Sequence, residues 1–118
     1  MLISPYVYAG LDHVKIHHRQ PRILFERVLF AVSKDFKLSP EVLISHRRWR
    51  DCCYGRQILC FILRHHYRMT ITKIGGLLNR HHSSIIHSTK GHSNDYECNI
   101  EYREITQRIL LKLGLGVL

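Results

Sequence analysis

Apolar residues early in the chain recur at helical spacing. Phe25, Val28, Leu29, Val32 and Phe36 fall three or four residues apart, on one face of a helix running from Arg22. Ile23, Leu24, Phe30 and Ala31 widen that stripe, so the helix is expected to be covered on more than one side, chiefly by the core. Pro21 marks its entry. In "LSPEVLI" (38–44), Ser39 can cap a short second helix, Pro40 suits its first position, and Glu41 favours its N-terminal dipole. "SHRRWRDCCYG" (45–55) breaks the periodicity and reads as a basic, irregular segment. "ILCFIL" (58–63) is apolar on nearly every face, which predicts a central helix from about Arg56 to Arg68. Thr70 or Thr72 can cap "TKIGGLLN" (72–79). A last helix is expected from Asn99 to Leu113, with Ile105, Ile109 and Leu113 on one face. Strand alternation and internal repeats are absent. The expected class is all-α, about six helices, with residues 1–21 a tail or arm and residues 22–118 the helical domain.

The stretch "ITKIGGLLNRHHSSIIH" has the form of a helix-turn-helix. Gly75 lacks a side chain where the two helices approach. Asn79 sits at the turn, where a left-handed backbone is needed and asparagine tolerates it. Ile85 is placed to bury against Ile71, Ile74 and Leu78. The second helix presents its N-terminal N–H groups and positive dipole end to any anion. His82, Ser83 and Ser84 lie in its first turn, and His87 and Lys90 lie further along.

Charge sharpens this picture. The chain carries 18 basic and 9 acidic residues, a net +9. Residues 37–90 hold ten of the basic residues and only two acids, Glu41 and Asp51. Solubility needs no such concentration, whereas a polyanion does. Nucleic acid is therefore the expected partner.

Three segments carry a family resemblance. "VLISHRRWR" (42–50), "GRQILCFILR" (55–64) and "KIGGLLNRHHSSIIHSTK" (73–90) resemble, in order and spacing, the C-terminal DNA-binding domain of the bacterial chromosomal replication initiator DnaA. The resemblance covers residues 23–113. It implies a compact fold of the Trp-repressor/DnaA C-terminal kind. It also implies that Arg48 enters the minor groove, that Arg56 and Gln57 hold backbone phosphate, and that His82 and Ser83 reach bases in the major groove beside Ser84. Lys73, His87 and Lys90 would support the backbone. His81 stands where the family usually has aspartate, which alters the hydrogen bonding offered to a base. Gly55 stands where proline is usual. No GxxxxGK[ST] phosphate loop occurs, so a free-standing reader without an ATPase module is expected. Such a reader belongs in the bacterial cytoplasm on the nucleoid, whether host-, phage- or mobile-element-encoded.

Other chemistries fit the residues less well. His81, His82, His87 and His92 are close in sequence, but 82, 87 and 92 are spaced by five, which is wrong for ligand pairs on one helix. No metal or other cofactor is expected. Cys52, Cys53, Cys60 and Cys98 read as reduced thiols, with Cys60 in the core. No serine or cysteine has the base and orienting partner that nucleophilic catalysis requires, so an enzyme is not expected. Trp49 is expected to pack over the core, and His65 and His66 to lie at the surface or core edge. The start, "MLISPYVYAGLDH", has neither a basic nor an apolar signal region, and no apolar run is long enough to span a membrane. A protein partner could use the N-terminal tail or the first helix.

Overall fold

A computed structural model describes residues 20–115 of the chain. The proposed tail, residues 1–21, lies almost wholly outside the described residues. Within them the fold is all-helical: α1 (Pro21–Phe36), α2 (Pro40–Leu43), α3 (Arg50–Phe61), a π-helical turn (Ile62–His66), α4 (Ile71–Leu78), α5 (His82–Cys98) and α6 (Ile100–Lys112). None of these helices is long and apolar enough to cross a membrane.

Local signals set most boundaries. Pro21 and Pro40 open α1 and α2, where a missing N–H costs nothing. Ser39 Oγ accepts from Val42 N at 3.3 Å, Thr70 Oγ1 from Lys73 N at 3.1 Å, and Asn99 Oδ1 from Tyr102 N at 3.1 Å. Lys37 and Asn79 close α1 and α4 in the left-handed conformation, with φ of 58° and 55°.

The central helix departs from expectation at both ends. It starts at Arg50, so the irregular basic loop is confined to residues 44–49. It also stops being α-helical at Phe61. Tyr67 N–H donates to Ile62 O, five residues back, and Met69 N–H reaches Leu63 O across Arg68, whose φ is 59°. This wide turn rotates the chain so that Ile62, Leu63, Tyr67 and Met69 are all buried. A continuous α-helix to Arg68 would not bring those four onto one core-facing surface.

The core forms around α3. Val28 and Val32 of α1, Leu43 of α2, Ile58 and Leu59 of α3, Ile74 of α4, Ile85 of α5, and Tyr102 and Ile109 of α6 are essentially inaccessible. α3 packs against α1, α2 and α5. Cys60 is buried as expected, and burial pushes its thiol up to about 12. Arg108 and Lys112 of α6 pair with Asp35 of α1, the arginine through two bonds of 2.8 and 2.9 Å. The Arg108 bonds hold the Asp35 carboxyl below the usual carboxylate range. Two apolar residues of α1, Ile23 and Phe30, remain more than half exposed, contrary to the expected core burial.

The α4–α5 turn shows why Gly75 is needed. Arg80 N–H donates to Gly75 O at 2.8 Å and Asn79 N–H to Gly76 O at 3.3 Å, a Schellman closure. A Cβ at Gly75 would lie 2.7 Å from Arg80 O, while one at Gly76 would meet nothing within 4 Å. The obstacle at Gly75 is turn backbone, which cannot swing aside. Gly75→Ala is expected to destabilise by a net of about 2 kcal/mol, overpacking outweighing helix propensity. Gly76→Ala should instead stabilise by up to about 1 kcal/mol. Urea denaturation of both variants checks the contrast, and equal effects would contradict it.

Candidate nucleic-acid interface

The N-terminal half of α5 and the loop 44–49 face each other across a groove of about 430 Å³. Six of the ten residues singled out in the sequence line it: Arg48, Arg56, Gln57, Ser83, Ser84 and His87. The groove also takes in His46, Cys53, Arg80 and Ser88, which the sequence reading passed over. None of the lining residues is acidic. Lys73, His81, His82 and Lys90 lie outside the groove and are exposed, on α4 or along α5.

The start of α5 is organised by His81. Its backbone is extended, and its Nδ1 accepts from Ser83 N at 3.2 Å, making it the N-cap. Since that nitrogen accepts, the Ser83 hydroxyl donates to it at 2.9 Å. The His81 and His82 rings lie 4.2 Å apart, and both are exposed with Ser83 at the helix tip. A capping aspartate is thus replaced by a capping histidine, without a negative charge at this surface.

The loop is held from beneath by two arginines. Arg56 donates from Nη1 to Leu43 O at 3.0 Å and Ser45 O at 2.9 Å, and from Nη2 to Arg47 O at 2.6 Å. Nη2 also approaches Cys53 Sγ at 3.5 Å. Arg56 is 8% exposed, so its guanidinium is largely engaged with the loop backbone. Arg80, from the α4–α5 turn, donates to the same Ser45 O. Its Nε is buried with no hydrogen-bond partner among the described residues. Burial, then the neighbouring Arg56 guanidinium, hold Arg80 below the usual arginine range. His46, Arg47, Arg48, Trp49 and Arg50 are left exposed on the anchored loop.

Trp49 does not pack over the core. It is 53% exposed, with the Arg47 guanidinium 4.9 Å from its ring centroid. The side chain makes no capping bond to α3.

Behind the groove, Gln57 joins three helices. Its Nε2 donates to Asp95 Oδ2 of α5 at 2.9 Å and to the Tyr102 hydroxyl of α6 at 3.3 Å. Gly91 makes room for it, because a Cβ there would lie 2.5 Å from Gln57 Oε1. The Tyr102 hydroxyl in turn lies 2.7 Å from His92 Nδ1. His92 is buried and stacked on Phe61 at 3.9 Å. Burial, reinforced by His65, depresses it to about 4, and Asp95 opposes the shift. Nothing in its spacing marked His92 as a core residue rather than a surface one. No group of three or more His, Cys, Asp or Glu side chains among the described residues is arranged to hold a metal ion.

Residues 25–91 match the family model for the bacterial DnaA protein helix-turn-helix. The chain is similar to chromosomal replication initiator protein DnaA of Porphyromonas gingivalis strain W83, 28% identical over 87 residues, which is 73% of this chain and 18% of that protein. It is 34% identical over 64 residues to DnaA of Ureaplasma parvum serovar 3, 53% of this chain and 14% of that protein. It is 27% identical over 116 residues to DnaA 1 of Chlamydia trachomatis serovar D, 92% of this chain and 25% of that protein. The chain thus spans a quarter or less of the length of these relatives.

Proposed function

Because the chain belongs to the bacterial DnaA helix-turn-helix family, we propose that it binds double-stranded DNA selectively and acts in replication initiation or its regulation. The observation that carries this reading is the carboxylate-free groove between the tip of α5 and the doubly anchored basic loop. Three guanidiniums, Arg48, Arg56 and Arg80, crowd one place with no acid to neutralise them. A phosphate backbone supplies the missing charge.

The roles divide by exposure. His82 and Ser83, at the tip of α5, reach base edges in the major groove, with Ser84 and the capping His81 beside them. Arg48, on the loop, enters the neighbouring minor groove. Lys73, His87 and Lys90 meet backbone phosphate. Arg56 and Gln57 act indirectly, since their donors already hold the loop and α5. They position the groups that touch DNA. The work is binding, with no catalytic step and no cofactor.

Selection of bound sites from a random duplex library tests the reading, run in parallel with wild type and His82→Ala/Ser83→Ala. Wild type should enrich one motif, and the double variant should lose it while keeping part of its affinity. Five to seven phosphate contacts should give a log–log salt slope of about −4 to −6. Duplex binding with no enriched motif would remove selectivity from the reading. Absence of duplex binding would remove the reading itself.

A further inference from the structure

We propose that Trp49 is a stacking platform for an unpaired nucleobase, so that the basic loop prefers DNA carrying unpaired bases over fully paired duplex. This goes beyond the duplex reading above, which assigns Trp49 no contact.

The tryptophan is more than half exposed, and the fold makes little use of it. Its side chain caps nothing, and its ring does not join the core cluster. A bare indole at a protein surface is costly in apolar hydration, and a loop so rich in arginine could have carried a polar residue there. Its neighbours give the exposure a direction. Arg47 lies against the ring, Arg48 lines the adjoining groove, and Arg50 is exposed on the other side. Cationic side chains interleaved with an aromatic ring are the arrangement that holds single-stranded nucleic acid. The cations follow the phosphates, and every base offers a π face to the ring.

Paired DNA cannot use this feature well. In a duplex both faces of each base are covered by its neighbours, leaving only edges, sugars and phosphates to a protein. An unpaired base offers its whole face. The platform is also pre-set. Arg56 and Arg80 fix the carbonyls of Leu43, Ser45 and Arg47, so little ordering of the loop is left for binding to bear.

Trp49 is the chain's only tryptophan, so its emission reports on this site alone. The full chain would be titrated with three labelled DNAs of matched length: a perfect duplex, the same duplex with a short unpaired bubble, and single-stranded oligothymidine. Label anisotropy reads binding, and intrinsic fluorescence reads stacking. The bubble and the single strand should quench the emission strongly, the perfect duplex weakly. The bubble should bind roughly tenfold tighter than the duplex, the size of one base–aromatic stack. Trp49→Ala should abolish that preference with duplex affinity retained, and Trp49→Phe should restore most of it. Saturation by the bubble without quenching, or a preference that survives Trp49→Ala, would overturn the proposal and leave the duplex reading intact. Failure to bind any of the three by anisotropy would overturn both.

Discussion

Arg56→Met is expected to destabilise the protein by about 3 kcal/mol even with no DNA present. Methionine fills much of the same volume but donates nothing. Leu43 O, Ser45 O and Arg47 O would each lose a charged donor, and the Arg56 side chain that supplies it is nearly buried. Lysine would recover part of the loss, because one ammonium cannot span three carbonyls as a planar guanidinium does. Duplex affinity should fall roughly tenfold, since a released loop must order several side chains on binding at about 0.5–1.5 kcal/mol each. Stability of the DNA-free protein is the decisive measurement. An arginine that only touched phosphate would leave it unchanged, so a stable Arg56→Met protein with lost affinity would return Arg56 to direct phosphate contact.

Stability should also decline in mild acid because of His92. Its folded value is near 4, below the ordinary 6.5. Between those values the unfolded chain takes up a proton at this position and the folded chain does not. Stability from this site is therefore complete above about pH 6.5 and is lost progressively towards pH 4. The full loss corresponds to about 3 kcal/mol. Three neighbours bear on the site: Tyr102 bonds to the ring, His65 disfavours its charge and Asp95 favours it. Asp35 acts in a separate window. Its folded value is depressed, so its contribution is present above the ordinary carboxylate range and disappears only at more acid pH. Urea denaturation of wild type and His92→Gln between pH 7 and pH 4.5 isolates the histidine. The glutamine protein should be less stable at pH 7, and the gap should close as pH falls. Parallel curves would show that His92 does not titrate in this way.

Features written in adjacent residues were legible from the sequence. Pro21, Ser39, Thr70 and Asn79 act within four residues of their own positions, and each marks the helix end expected of it. The helix-turn-helix was legible for the same reason, its turn closing between Gly75 and Arg80. Features that depend on distant partners were not legible. Arg56 meets carbonyls up to thirteen residues away, and Gln57 meets Asp95 and Tyr102. Arg80 gave one signal that could have been used: a basic residue directly after the turn must lie near whatever α5 faces. The π turn at Ile62–His66 left no mark, because "ILCFIL" is equally apolar in either register. Trp49 was misjudged because aromatic residues are usually covered, and a loop raised on two arginines leaves it nothing to pack against.

The double anchoring at Ser45 O bears on how this protein could be re-engineered. A segment such as residues 44–49 looks portable, a basic hairpin to be grafted onto any compact helical scaffold. Its shape, however, is encoded elsewhere, in Arg56 one turn into α3 and Arg80 beyond α4. A chimera that received the loop alone would carry the right charges in no fixed arrangement. The smallest transplantable unit is the loop together with both arginines and the α4–α5 turn that presents the second. Homologues that drift at either arginine should then be found to have changed their loop as well.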